Sequence, residues 1–244
     1  MTGILVLTAV ELEARALARE LELPLLCRFA FPLYERAPAA RVPGDTWLRV
    51  APVGLRAQFL PDRWLALIAD LSAPLVISAG TCGALAPWLS VGDLILPESV
   101  LGHAGERLNV TPPAHAAAVR LAPEARTGLL LTSAEPVATP EAKALRWRAT
   151  GADAVDMESA TILAWASRHG CPSLVVRAVS DTARQHLPAE LVGLVTPEGR
   201  LWRGRVVALA LTRPRIIPRA LALRQGTGMA LKRVARLLGA LAGA

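Results

Sequence analysis

The sequence holds almost no lysine: Lys143 and Lys232 stand against 25 arginines. With Ala and Leu dominant, this bias reads as a property of the genome rather than of a function. Cysteine is scarce too. Cys27, Cys82 and Cys171 are odd in number and far apart, which excludes a disulfide framework and points to a reducing compartment. Neither they nor His103, His115, His169 and His186 have metal-ligand spacing, so no metal is expected. There is no charge-free apolar run of membrane-spanning length. No basic residue precedes the apolar opening Gly3–Thr8, and Glu11 and Glu13 follow it at once. That reads as a buried strand entering a helix rather than a signal peptide, and a cytoplasmic location is expected. No internal repeat is visible.

What is present is globular. The chain is 53% hydrophobic and 19% charged, and its 244 residues suffice for a full core. The net charge of +7 is unevenly placed. From Arg200 to Ala244 there are ten basic residues and no acid, which leaves a body of 17 basic and 20 acidic residues. We expect a catalytic body over 1–199 and a basic helical extension over 200–244. In that extension Leu231, Val234, Leu237, Leu238 and Leu241 form one helical stripe, and Lys232, Arg233 and Arg236 fall outside it. Such a helix either packs on its own body or a partner subunit, or lies on an anionic bilayer as a peripheral contact. The tail carries no groove-reading motif and Trp202 is its one aromatic, so no nucleic-acid partner is expected.

Along the body, strand patterns alternate with helical ones. Strands are expected over Gly3–Thr8, Trp47–Val53, Pro74–Ala79, Asp93–Pro97, Arg126–Leu131, Ala154–Val155 and Ser173–Val179. Helices are expected over Glu11–Glu20, Phe59–Leu71, Glu141–Ala149 and Met157–Arg168. The alternation implies an α/β fold with a mostly parallel sheet covered on both faces, where ligands gather at the carboxyl ends of strands. Polar spots interrupt the apolar runs at such ends: Ser78-Ala79-Gly80-Thr81-Cys82-Gly83, Asp156-Met157-Glu158-Ser159, Arg177-Ala178-Val179-Ser180-Asp181, and Glu11 to Arg15 after the first strand. Each has an ordinary structural reading. Gly80 and Gly83 suit a turn, Glu158 a helix N-terminus, Asp181 an N-cap, and Glu11 and Glu13 a first helical turn.

As an ordered set they resemble a known group. Val76–Leu85 followed by Val91-Gly92-Asp93 is similar to the glycine turn and "VGD" signature of the nucleoside phosphorylase and nucleosidase superfamily. Asp156-Met157-Glu158-Ser159-Ala160 resembles its "EMES/EMEA" motif, and Arg177–Asp181 its "R-x-I-S-D" motif. Ala9 to Glu13 resembles the opening of the methylthioadenosine/S-adenosylhomocysteine nucleosidases. The resemblance spans roughly residues 3–185. It implies a three-layer sandwich with a twisted, mostly parallel mixed central sheet, and an enzyme that breaks the N-glycosidic bond of an adenosine-type nucleoside without a cofactor.

The resemblance implies these roles. Asp181 protonates the purine, Glu158 binds the ribose hydroxyls, Met157 packs on the sugar, Ser180 and Arg177 hold Asp181, Thr81 and Gly83 line the sugar side, and Glu13 handles water. The stretch Ser133–Val137 stands where those nucleosidases place a phenylalanine against adenine. It has no aromatic, which leaves base recognition open, and Val137 is expected among the substrate-binding residues. Ser78 occupies the place of a phosphate-binding arginine in the phosphorylases, so hydrolysis is the favoured reading. Phosphorolysis, with Arg15 or Arg56 as phosphate ligand, is the alternative, and futalosine hydrolysis a variant. Leu187–Leu194 with Arg213-Pro214 and Ile217-Pro218 is similar to the hopanoid-associated branch, which implies a lipid-linked nucleoside such as adenosylhopane. A homodimer is expected by analogy.

Overall fold

Gly3–Thr8 (β1) is buried along its whole length, as a strand covered on both faces must be. In the computed structural model, which describes residues 3–27, 31–37, 46–68, 71–187 and 217–243 apart from the side chains of 217–220, it lies at the centre of one mixed sheet. It pairs in parallel with β4 (Trp47–Pro52) and β5 (Leu75–Ala84). The far edge of β5 takes β11 (Ser173–Asp181) in parallel, and its carboxyl end takes β10 (Ala154–Asp156) antiparallel. β9 (Leu129–Thr132), β7 (Ser99–Leu101) and β8 (Arg107–Asn109) follow β10 outward. β3 (Leu33–Arg36) and β2 (Leu25–Cys27) extend the other flank, and β6 (Leu94–Ile95) pairs with β11. The long ladders are parallel and the antiparallel ones are short, so the sheet is mixed as the sequence implied.

The two faces follow from the strand period of two. Ile4, Val6, Ile77, Leu174 and Val176 point to one face, covered by α1 (Glu11–Glu20), α3 (Pro112–Leu121) and α6 (Ile217–Ala242). Leu5, Leu7 and Val76 point to the other, covered by α2 (Leu60–Ile68) and α5 (Ser159–Arg168). This is a three-layer α/β sandwich. The apolar stripe of α6 lies in the first face: Leu231, Val234, Leu237 and Leu238 are buried against the sheet. Each such side chain contributes about 1.5–3 kcal/mol on burial. Lys232, Arg233 and Arg236 are exposed on the opposite side. No helix among the described residues is long and apolar enough to cross a membrane.

The structure departs from the sequence reading in three places. Gly80 to Gly83 is not a turn, because β5 runs unbroken from Leu75 to Ala84. The helix expected from Met157 starts at Ser159, leaving Glu158 at its N-cap. The outer strands β2, β3, β7 and β8 and helix α3 carried no readable period. The boundary at 199/200, Trp202, and most of the run behind the hopanoid resemblance, 188–216, lie outside the described residues.

Candidate active site

One cavity of about 240 Å³ opens where β5, β10 and β11 end, and the polar spots of the sequence meet around it. Glu13, Thr81, Gly83, Val137, Met157, Glu158, Ser180 and Asp181 all line it.

The glycines of β5 make the approach possible. At Gly80, with φ +149°, a Cβ would lie 2.7 Å from Arg177 Nη1 and 2.8 Å from Glu13 Oε1, so a guanidinium and a carboxylate pass directly over the backbone. At Gly83 a Cβ would stand 3.2 Å from Asp181 Oδ2. Asp181 reaches that position through a bulge. The register of β11 against β5 shifts between Val179 and Asp181, so Ser180 is the extra residue and the aspartate turns toward the cavity.

Glu13 belongs to the first turn of α1, where acids suit the helix dipole, yet it is only 5% exposed. Its Oε1 accepts from the Thr81 N–H and hydroxyl, both at 3.0 Å, and its Oε2 has no partner among the described residues. A buried acceptor left free costs about 1–3 kcal/mol, so it asks for a use.

Glu158 Oε1 accepts the Arg56 N–H at 3.1 Å. Arg56 holds φ 57°, ψ 20°, a left-handed conformation that is strained for a non-glycine residue. Burial pushes the Glu158 carboxyl up to about 8. Arg177 opposes that rise, Asp156 and Glu13 add to it, and the Arg56 N–H opposes it. The ordinary value is 4.5, so between about 4.5 and about 8 the unfolded chain gives up a proton that the folded chain keeps. Stability is therefore expected to fall as pH rises through that window and to level off above it. Glu158→Gln should flatten this slope. Melting temperatures taken from about pH 5 to about pH 9 decide it, and equal slopes in the two proteins would mean that Glu158 is ionised throughout.

Beneath the cavity floor lies a second layer. Arg177 is 0% exposed; its Nη2 meets Asp156 Oδ2 at 2.7 Å, Ser78 Oγ at 2.8 Å and Ser159 Oγ at 3.2 Å, with Glu158 Oε2 at 3.9 Å. Asp156 also accepts from the Thr132 hydroxyl at 2.7 Å and from the Ser159 N–H at 3.1 Å, fixing the start of α5.

The comparisons with known proteins agree with this architecture. Crystal structures of the 5′-methylthioadenosine/S-adenosylhomocysteine nucleosidase from Helicobacter pylori with butyl-thio-DADMe-Immucillin-A (15% identity, TM-score 0.72, 99% of this chain and 97% of that one) and of the same-named enzyme from Neisseria meningitidis with methylthio-immucillin-A (20%, 0.70, 98% and 97%) share the fold. So does the futalosine hydrolase of Helicobacter pylori (16%, 0.71, 98% and 97%). At such identities these likenesses show the fold alone. No curated protein matches the chain. The sequence model of the family described as the phosphorylase superfamily matches residues 64–211. The chain belongs to the phosphorylase superfamily. It is accordingly an enzyme that breaks N-glycosidic bonds.

Within that superfamily frame one expectation about a side chain needs correction. Arg177 neither lines the cavity nor bonds Asp181; it lies behind the wall, committed to the cavity-lining Asp156. Ser180 does touch Asp181, its hydroxyl 2.7 Å from Oδ1 and 3.2 Å from the Cys82 carbonyl. The residue on the other carboxylate oxygen is one the sequence reading missed: Lys143 Nζ donates to Asp181 Oδ2 at 2.5 Å. Its position mid-helix gave no motif, and its only signal was rarity, a lysine in a chain built on arginine. Cys82 lines the cavity, but burial pushes its thiol up, which keeps it a packing residue rather than a nucleophile.

Proposed function

We propose that the chain is a nucleosidase that hydrolyses the N-glycosidic bond of an adenosine-type substrate bearing an apolar 5′ group. One observation carries the reading. The cavity is lined by five acids (Glu13, Glu135, Asp156, Glu158 and Asp181), and by no cation among the described residues.

That charge pattern suits a sugar that turns cationic as the base departs. Glu158 and its neighbours favour the developing positive charge, and Asp181 supplies the proton that makes the purine a neutral leaving group. A cationic sugar beside Glu158 favours its ionised form, opposing the upward push of burial. Glu13, which lines the cavity, takes a proton from water as it attacks. Met157, Thr81 and Gly83 border the sugar. The base rests between aliphatic side chains, with Val137, Pro136 and Leu187 taking the part of an aromatic ring.

The same pattern argues against phosphate. A dianion would enter among carboxylates with no cation lining the cavity among the described residues, since Lys143 and Arg177 are spent on Asp181 and Asp156 behind it. Arg15 is tied to Glu11 on the exposed side of α1, and Arg56 lends the site only its N–H while its side chain is exposed. The 5′ group is assigned from the apolar side of the cavity, where Ala9, Val10 and Leu55 stand. A thioether chain or a hopane lipid would both suit it.

The test is to incubate the protein with adenosine, methylthioadenosine, futalosine and an adenosyl lipid, with and without phosphate, and to quantify free base and sugar. The expected result is base and free sugar from an adenosine-type substrate, at one rate in both buffers. A rate that climbs with phosphate, and a sugar phosphate as product, would overturn hydrolysis in favour of phosphorolysis.

A further inference from the structure

Lys143 is the only buried residue of α4 (Pro140–Thr150), a helix otherwise half-buried or exposed along its length. The helix start is fixed by Thr139, whose hydroxyl accepts the Ala142 N–H, by Pro140 at its first position, and its end by Gly151 in the left-handed region. These caps hold Lys143 pointing inward with no solvent exposure. Full burial of a lysine is rare unless the charge is paired.

Here the pairing is complete. Nζ donates to Asp181 Oδ2 at 2.5 Å, to the Thr182 carbonyl at 2.8 Å and to the Gln185 carbonyl at 3.1 Å. An ammonium has three N–H groups, and three acceptors meet them. The two carbonyls belong to a closed turn, in which the Gln185 N–H donates to the Thr182 carbonyl and the Thr182 N–H to the Gln185 side chain. That turn leads into Leu187, which lines the cavity. One buried ammonium thus ties together the acid and the wall beside it. An arginine, with its planar fork, would not serve three acceptors converging on one atom.

The tripod has a second property. If one proton passes from Nζ to Asp181 Oδ2, the resulting amine keeps two N–H groups for the two carbonyls, and its lone pair faces the new carboxylic O–H. Both proton positions keep every hydrogen bond. We propose that Lys143 is a positioning residue for the glycosidic step, fixing Asp181 and sharing with it the proton that the leaving base takes up. The inference rests on the nucleosidase reading above. In the step itself the Nζ–H bond breaks as the Asp181 O–H bond forms. The electron pair of the glycosidic bond goes to the purine as that bond breaks. The Asp181 hydroxyl turns to the ring and gives up its proton, forming a ring N–H, and the Lys143 amine is left to take a proton from solvent after the products depart.

The test is a cycle of Lys143→Met, Asp181→Asn and the double variant, read by kcat, KM and melting temperature. If Lys143 acts through Asp181, Lys143→Met lowers kcat by about thirtyfold or more with KM within about threefold, and adds less than about twofold to the loss already caused by Asp181→Asn. Losses that multiply, or a kcat equal to that of the parent, would overturn the proposal. Each single variant also leaves one buried partner behind, so the fall in melting temperature of the double variant should be smaller than the sum of the two. Additive falls would show that the pair is not a unit. If Lys143→Met does not fold, Lys143→Gln, which keeps a donor but not the charge, takes its place. A parent protein that releases no base from any nucleoside would sink the nucleosidase reading, while the thermal cycle would still decide whether Lys143 fixes Asp181.

Discussion

Asp181→Asn is expected to lower kcat by at least about a hundredfold, the lower end of what a positioned general acid contributes. The substitution keeps the shape of the side chain and its place against Gly83, but removes the group able to carry a proton to the base. The purine would then have to leave as an anion, or wait for a proton from water, in a cavity otherwise lined by acids. The asparagine oxygen can still accept from Lys143, and that ammonium keeps the Thr182 and Gln185 carbonyls. The bulge in β11 is set by backbone pairing with β5 and does not depend on the carboxylate. The folded structure should therefore persist with a lowered melting temperature, and KM should move much less than kcat. Steady-state release of base from the preferred nucleoside measures the effect. Turnover close to that of the parent chain would remove Asp181 from the acid role and return it to its plain structural reading at the end of a strand.

How much of this site could be read in the sequence depended on the kind of contact. Glu13, Glu158 and Asp181 stand at strand ends and helix starts, where an acid beside an apolar run has few reasons to exist, and an ordered motif set raised them above the background. Gly80 was legible as a glycine that matters but not for the right reason. It was read as a turn, whereas it lies within β5 and admits the Arg177 and Glu13 side chains across the backbone. A sequence shows that a Cβ is missing, not which atoms occupy its place. The family resemblance implies that Arg177 holds Asp181, four residues on in the same motif. A strand sends residues four apart to the same face, but the bulge at Ser180 breaks that period, and the guanidinium turns instead to Asp156 and Ser78. Lys143 was invisible for a related reason. Its partner is 38 residues away, and α4 has no apolar stripe to mark an inward face. The fold itself was easier, because β1, β5 and β11 are buried on both faces and write continuous apolar runs. The short edge strands, such as Arg107–Asn109, are half wet and write none.

Arg177→Met is expected to cost about 3–5 kcal/mol of stability, the penalty for removing one partner from a buried ion pair. Arg177 is the cation beside three buried carboxylates: Asp156 at 2.7 Å, Glu158 at 3.9 Å, and Glu13 across Gly80. Methionine matches much of its volume, so the loss is electrostatic rather than a cavity. Asp156 would keep the Thr132 hydroxyl and the Ser159 N–H but lose its counter-charge, and Ser78 and Ser159 would keep only each other at 3.0 Å. For a chain of this size about 1 kcal/mol moves the melting temperature by about 2–4 °C, which puts the expected fall at roughly 6–20 °C. The Glu158 part of the fall should shrink toward acid pH, where that carboxyl is protonated in both proteins and the Arg177 charge no longer acts on it. Adding Asp156→Asn to Arg177→Met should restore part of the loss at neutral pH, because the amide keeps its hydrogen bonds without a charge. Thermal unfolding of the two variants at neutral and mildly acid pH measures all of this. A shift of only about 1–2 °C, unchanged by pH, would mean that water reaches the layer beneath the cavity and screens it. The upward push of burial on the Glu158 carboxyl would then have to be abandoned with it.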